Sequence, residues 1–246
     1  LGTSYLARGM YKESLEESLK ALDLAESKGV DDVLYLSTHH NAAMAFLSLH
    51  DLDGAREYSL RALKKYPDHL DSLYIMIQIC GESGQWTELL NYGRRFLALR
   101  EILELHPERA GVILNSSLRE GGTAHMLMGH AHHTLGNAAD RDRHYGAAVE
   151  QSGDKWRFLL QIGIFHTDRS GDLPLGRRYL DLARQEAPTE PALWFMLSKW
   201  CNLAGNLDEE RSSLKRLWQL GTEDTELLNR LAALSLAADD PETAER

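Results

Sequence analysis

The sequence is poor in cysteine and has no long apolar run. It contains two cysteines, Cys80 and Cys201, among 246 residues, so a disulfide framework and a cysteine-rich zinc site are excluded. No stretch approaches the roughly 20 consecutive apolar residues that cross a bilayer, and the first residues show neither a basic leader nor a cleavage signal. We therefore expect no membrane insertion, and the two unpaired thiols favour the cytoplasm.

Positive charge is also scarce. The chain has 27 Lys and Arg against 37 Asp and Glu, which gives a formal net charge of −10 at pH 7. Proteins that bind nucleic acids gain affinity when Lys and Arg replace the counterions of the phosphate backbone. A chain as acidic as this one is not expected to bind nucleic acid.

Catalytic and cofactor motifs are missing as well. The sequence has no Gly-x-Ser-x-Gly, no Gly-x-x-x-x-Gly-Lys, no His-Glu-x-x-His and no Gly-x-Gly-x-x-Gly. Carboxylates are plentiful, but they cluster on polar helix faces beside cations, as Glu16 and Glu17 do beside Lys20. We therefore expect no enzyme activity, no catalytic residue and no cofactor.

What the sequence does contain is a repeated turn between amphipathic stretches. Each turn follows a stretch of helical period, such as Leu73, Ile77 and Cys80 before Gly84. Glycine ends a helix at little cost because it adopts the left-handed conformation that other residues resist. If His50 and Asp239 each replace such a glycine, the intervals are 41, 34, 52, 35, 34 and 34 residues, and the turn positions are Gly9, His50, Gly84, Gly136, Gly171, Gly205 and Asp239. The repeating unit is predicted to be a helical hairpin.

Small residues recur where paired helices must approach closely, as at Ala43 and Ala62, and Pro67 closes a unit. With its period near 34, the chain resembles the tetratricopeptide repeat (TPR) family, whose helical hairpins carry small residues and a terminal Pro at set spacings. The resemblance implies an all-α, right-handed superhelical solenoid of about seven helix-turn-helix units.

Four positions depart from the family pattern. Ile77 and Ile164 occupy a small-residue position, and Arg141 and Glu210 occupy an alanine position. We expect the helix interfaces at these positions to be looser or locally shifted.

The resemblance predicts a single array over residues 1–246. The units are predicted at about 1–29, 36–69, 70–106, 122–155, 157–190, 191–224 and 225–246, with an insertion at about 107–121. Residues 86–106 are expected to form one long helix before this insertion. Neither end carries the polar cap that a solenoid needs, which predicts a segment of a longer chain and self-association through the uncapped ends.

Histidine is enriched, with 11 residues in the chain. His130 and His133 lie three apart on one predicted helix face, a spacing that can hold a metal. A metal site needs further ligands, and none stands at ligand spacing beside this pair. We therefore assign no metal site, and we expect the histidines to serve packing and hydrogen bonding.

The inner surface of the array is the candidate binding site, because first helices line the concave face of such solenoids. Phe158, Phe165 and Phe195 are the candidate aromatic anchors of a protein or peptide ligand. Counting from each turn, the groove is predicted to contain His40, Asn41, Met44, Tyr74, Gln78, Met126, His130, His133, Phe158, Gln161, Phe165, Phe195, Lys199, Asn202, Asn229 and Arg230. The predicted function is that of a non-catalytic scaffold that binds a protein or peptide in this groove.

An alternative belongs to another class. The long helix ending at His106, the run from Leu70 to Tyr74 and the insertion are similar to TPR regions fused behind family 2 glycosyltransferase domains of bacteria. In that case the segment would position an acceptor or a partner for a larger enzyme. An upstream nucleotide-sugar domain with an Asp-x-Asp motif would favour this alternative.

Overall fold

The structure is a computed structural model that describes residues 2–29, 33–106 and 119–238, and the regular structure within these ranges is helical. The all-α prediction is confirmed. None of the helices in these ranges is both long and apolar enough to span a bilayer.

The chain divides into two compact units, Leu1–Gln151 and Ser152–Arg246. The helices of unit 1 are α1 Gly2–Ala7, α2 Tyr11–Ser27, α3 Val33–Ser48, α4 Leu52–Lys65, α5 Leu70–Glu82, α6 Trp86–Leu105, α7 Gly121–Thr134 and α8 Ala138–Glu150. Those of unit 2 are α9 Lys155–Ile164, which continues as a π-helical turn at Phe165–Arg169, α10 Leu173–Glu186, α11 Pro191–Leu203, α12 Leu207–Gln219 and α13 Thr225–Ala237. That the units form one continuous array stays a prediction.

The long helix expected before the insertion is present, since α6 runs from Trp86 to Leu105. Three other predictions lie wholly or mostly outside the described residues. They concern the insertion as far as position 118, the turn at Asp239 and the capping of the two ends.

The turns between paired helices have the left-handed backbone that the sequence predicts. Five of the predicted glycines have φ between +69° and +78°: Gly9, Gly84, Gly136, Gly171 and Gly205. In the described part of the chain, His50 is the one non-glycine residue with positive φ, at +60°. A side chain at this φ meets the following carbonyl, which costs roughly 1–2 kcal/mol. His50 therefore stands in the role of a turn glycine.

Close approach inside two hairpins of unit 1 depends on glycine in the first helix. A Cβ at Gly2 would lie 2.8 Å from Ser18 Oγ, and a Cβ at Gly129 would overlap the ring of Tyr145. The facing residue lies sixteen positions further along the chain in both hairpins. These two pairs define which positions face each other across a hairpin.

In unit 2 the corresponding pair is Gly163 and Leu180, where a Cβ on the glycine would lie 2.8 Å from Leu180 Cδ2. The two residues are seventeen positions apart, one more than in unit 1. The extra residue falls in the π-helical turn Phe165–Arg169, since a π turn holds one residue more than an α turn. It also accounts for the 35-residue interval between Gly136 and Gly171. Placing Ile164 at the small-residue position is therefore wrong by one residue, and Gly163 fills it.

Two of the other departures from the family pattern are buried. Ile77 has no exposed surface and belongs to the main hydrophobic core of unit 1, with Met76 and Phe96. Glu210 is buried and accepts hydrogen bonds from Arg230 and Asn202. That the interfaces at these positions are looser or locally shifted stays a prediction.

Candidate functional site

The sixteen predicted groove residues differ in their exposure to solvent. Five are buried: Asn41, Tyr74, Met126, His130 and Phe165. Five are half-buried: His40, Met44, Gln78, His133 and Phe158. Six are exposed, and all of these belong to unit 2: Gln161, Phe195, Lys199, Asn202, Asn229 and Arg230.

Three of the buried residues in unit 1 hold helices together. Asn41 donates from Nδ2 to Thr3 Oγ1 at 2.9 Å, which joins α3 to α1. Tyr74 donates its hydroxyl to Glu120 Oε2 at 3.1 Å. His130 Nδ1 lies 2.7 Å from the hydroxyl of Tyr145, inside the α7–α8 hairpin. The prediction that these three side chains face the groove is wrong, because their polar atoms are committed to internal contacts.

The prediction that Met126 and Phe165 face the groove is also wrong, because both side chains are buried. Met126 is buried on α7. Phe165 is only 7% exposed, at the start of the π-helical turn, with its ring edge-on to His166 at 5.1 Å between centroids. Phe165 was predicted to face the groove by counting back from Gly171, and that count omits the extra residue of the π-helical turn. The 35-residue interval between Gly136 and Gly171 is the sequence feature that indicates this extra residue.

Of the candidate aromatic anchors, Phe195 is the exposed one, with 43% of its surface accessible on α11. Lys199 and Asn202 follow it at spacings of four and three residues, so the three side chains share one side of the helix. We call Phe195, Lys199 and Asn202 the α11 face. It combines a large apolar ring, a cation and an amide on one regular helix.

Ion pairs within unit 2 fix the polar side chains around Phe195. Lys199 donates from Nζ to Asp168 Oδ2 at 2.7 Å, so the π-helical turn contributes a carboxylate beside the α11 face. Asp168 was not predicted as a site residue, because its position depends on that turn.

A second network continues the α11 face onto α13. Arg230 donates two hydrogen bonds to Glu210, of 2.7 and 2.8 Å, and Asn202 donates to the same carboxylate at 3.2 Å. The hydrogen bonds from Arg230 hold the pKa of Glu210 below its usual value, against the opposing effect of burial. The carboxylate stays ionised and fixes both side chains in place.

These features define an all-α protein built from helical hairpins, and a family model matches the first part of the chain. Residues 1–68 match the family model described as tetratricopeptide repeat. The resemblance to TPR proteins is confirmed. Among curated proteins none matches this sequence.

Solved structures share the fold at low sequence identity. A tetratricopeptide repeat protein from Parabacteroides merdae aligns with a TM-score of 0.63 and 15% identity, covering 99% of this chain and 86% of that chain. PilW, a type IV pilus biogenesis factor, has a TM-score of 0.54 and 16% identity, covering 85% and 89%. The human IFIT1 dimer with m7Gppp-AAAA has a TM-score of 0.51 and 12% identity, covering 99% and 56%. At these identities the likeness shows the fold alone.

Proposed function

We propose that this chain is a non-catalytic module that binds a protein or peptide on the α11 face of unit 2. The observation that carries the proposal is the exposure of Phe195 between polar side chains that internal bonds already hold in place. Of the predicted groove residues, the proposal keeps only the exposed ones, all of which belong to unit 2.

The energetic argument rests on the aromatic ring. Phe195 leaves 43% of its surface in water, and a partner that covers the ring gains about 25 cal/mol for each Å² of apolar surface removed from water. Aromatic side chains surrounded by polar groups recur among the few interface residues that carry most of the binding energy. Phe195 is therefore the expected anchor.

The surrounding polar groups support specificity. Lys199 and Arg230 each contact a carboxylate of unit 2, so their side chains are ordered before a ligand arrives. Order in the free protein lowers the entropy cost of binding. Asn202 and Asn229 are exposed, and their amides can donate to and accept from a peptide backbone.

The chemical class of the partner follows from charge. The net charge of −10 favours a protein or peptide over a nucleic acid. The fold itself does not decide this, because human IFIT1 shares it in a structure with m7Gppp-AAAA. The alternative beside a glycosyltransferase domain concerns a domain outside this chain, and none of the contacts described here favours it.

The experiment is peptide selection followed by affinity measurement. Peptides selected from a random library on the wild-type chain are titrated by fluorescence polarisation against the wild type and against Phe195→Ala. The matched control is Leu207→Ala, because Leu207 is also a large exposed apolar residue of unit 2 but begins α12. Circular dichroism verifies that both variants keep the helical signal of the wild type.

The proposal predicts that Phe195→Ala weakens peptide binding about tenfold or more, which corresponds to about 1.4 kcal/mol. Leu207→Ala should change the affinity less than twofold. Equal effects of the two substitutions would contradict the assignment of the α11 face. Tighter binding of single-stranded RNA than of any selected peptide would contradict the partner class.

A further inference from the structure

A cavity of about 600 Å³ lies against α6, α7 and α8 of unit 1. Cavities of this size are large enough to hold a small molecule. Three arginines and three histidines contribute to its lining: Arg94, Arg100, Arg143, His125, His132 and His144. The cavity shares no residue with the α11 face, so it is a second candidate site, independent of the peptide-binding role proposed for unit 2.

Arg100 places one ordered guanidinium at the wall of this cavity. Only 17% of its side chain is exposed. The guanidinium donates to Gln151 Oε1 at 2.9 Å and pairs with Glu104 at 2.7 Å. A Cβ at Gly121 would overlap the guanidinium, so the group lies directly against the first residue of α7. Arg100 therefore contributes a positive charge in a fixed position, and its order lowers the entropy cost of binding an anion.

The other two arginines are more open to solvent. Arg143 pairs with Asp140 Oδ1 at 2.7 Å, while 71% of its side chain is exposed. Arg94 is also exposed, and it donates to Asn91 Oδ1 at 2.7 Å. Within the described part of the chain, Arg94 pairs with no carboxylate. Its charge is therefore available to an anion that enters the cavity.

Two of the histidines form a pair that keeps one further N–H donor. The Nδ1 atoms of His125 and His144 are 2.8 Å apart. Both rings are neutral at pH 7, because burial lowers the pKa of each. Between two neutral imidazoles one Nδ1 donates and the other accepts, so the accepting ring carries its proton on Nε2. That Nε2–H can donate to a ligand in the cavity that both rings line.

His132 adds a buried nitrogen without a hydrogen-bond partner. The residue is more than nine-tenths buried, and its Nδ1 has no hydrogen bond to any described residue. Asp140 Oδ2 lies 4.0 Å from this nitrogen, which is too far for a hydrogen bond. Burial lowers the pKa of His132, and the charges of Arg143 and Arg94 oppose that of Asp140. A buried polar atom without a partner costs free energy unless a ligand completes its hydrogen bonds.

Positive charge prevails at the paired histidines. Burial, followed by the charges of Arg100 and Arg143, lowers the pKa of His125. Burial also lowers the pKa of His144 to about 4, and there Arg143 has a larger effect than the opposing carboxylate of Asp140. The electrostatics of the cavity therefore favour an anion, although the whole chain has a net charge of −10.

We propose that this cavity binds a small phosphate monoester, with the phosphoryl group among the arginines and histidines of its wall. A phosphoryl group carries about two negative charges at pH 7 and three acceptor oxygens. Guanidinium groups bind such oxygens in pairs through their planar N–H fork, which makes arginine the preferred partner of phosphate.

The apolar part of the lining explains why the ligand is an ester and not the free ion. Leu97, Ala98 and Met128 share the cavity with the charged groups. A small organic group of the ester gains about 25 cal/mol for each Å² of apolar surface that it removes from water against these side chains. Inorganic phosphate has no apolar surface and would leave this wall uncovered.

The test is isothermal titration calorimetry of the full chain at pH 7 with phenyl phosphate, inorganic phosphate and benzoate. Arg94→Gln and Arg143→Gln each remove a cation of the lining, and Glu101→Gln removes a carboxylate of the lining. The matched control is Arg95→Gln. Arg95 is the next residue on α6 and is also exposed, but it donates to the carbonyl of Pro67 and does not line the cavity. Circular dichroism verifies that each variant keeps the helical signal of the wild type.

The proposal predicts that the wild type binds one equivalent of phenyl phosphate, about tenfold more tightly than inorganic phosphate or benzoate. Arg94→Gln and Arg143→Gln should each weaken the binding of phenyl phosphate about fivefold or more. Glu101→Gln should strengthen it, because a negative charge leaves the lining, and Arg95→Gln should bind as the wild type does.

Absence of phenyl phosphate binding to the wild type would overturn the site. Equal affinity for benzoate would contradict recognition of a phosphoryl group, and equal affinity for inorganic phosphate would contradict recognition of an ester. An effect of Arg94→Gln no larger than that of Arg95→Gln would show that the ligand binds elsewhere on the chain.

Discussion

Substitution of Gly129 by alanine tests the packing of the hairpins most sharply. A Cβ at this position would overlap Cε1 and Cδ1 of Tyr145 and lie 3.2 Å from Cγ. Tyr145 is almost completely buried, and its hydroxyl lies 2.7 Å from His130 Nδ1. The ring therefore has no open space to enter and cannot move without breaking a buried hydrogen bond.

The magnitude follows from three contributions. Overpacking of a well-filled core costs about 1–3 kcal/mol, and loss of the bond between Tyr145 and His130 would cost about 1–3 kcal/mol more. Alanine gains about 1 kcal/mol over glycine in helix propensity. We expect Gly129→Ala to lower the free energy of unfolding by about 3 kcal/mol, or the Tm by about 6–12 °C for a chain of this size.

The assay is thermal unfolding followed by circular dichroism, with Gly146→Ala as the matched control. Gly146 lies on the same hairpin, inside α8, and a Cβ there would meet no atom within 4 Å. Gly146→Ala should therefore raise the stability by about 0.5–1 kcal/mol. A Gly129→Ala chain as stable as the wild type would refute the packing described for α7 and α8.

Two further predictions concern particular residues of unit 1. Burial lowers the pKa of His69 to about 4. Between pH 6.5 and pH 4 the unfolded chain therefore binds a proton at His69 that the folded chain does not bind. This pKa difference of about 2.5 should lower the free energy of unfolding by up to about 3 kcal/mol as the pH falls through that range. Urea unfolding across this pH range, with EDTA present, measures the loss of stability. If the free energy of unfolding depends on pH in His69→Asn as it does in the wild type, the prediction is contradicted. His50→Gly should raise the free energy of unfolding by about 1 kcal/mol, because glycine tolerates the φ of +60°. Gly84→His should lower it. A loss of stability in His50→Gly would contradict the role of His50 as a turn residue.

The sequence is sufficient to predict the hairpins, because turn glycines and helical periodicity are local signals. His50 was identified as a turn residue from the interval alone, and its positive φ confirms the prediction. Trp86 to Leu105 forms one helix, as its uninterrupted pattern indicates.

The candidate site was harder to predict, because exposure depends on contacts between helices. Counting from Gly171 assumes that every hairpin has the same number of residues, and the π-helical turn breaks that assumption at Phe165. His130 has the spacing of an exposed residue. Because Gly129 has no side chain, the ring of Tyr145 packs close to α7 and its hydroxyl contacts His130.

Hydrogen exchange on the free chain and on its complex with a selected peptide tests the central claim most directly. The account predicts that the peptide slows amide exchange in α11, around Phe195, Lys199 and Asn202, and leaves α2 unchanged. Protection confined to other helices, with α11 exchanging as in the free chain, would contradict it.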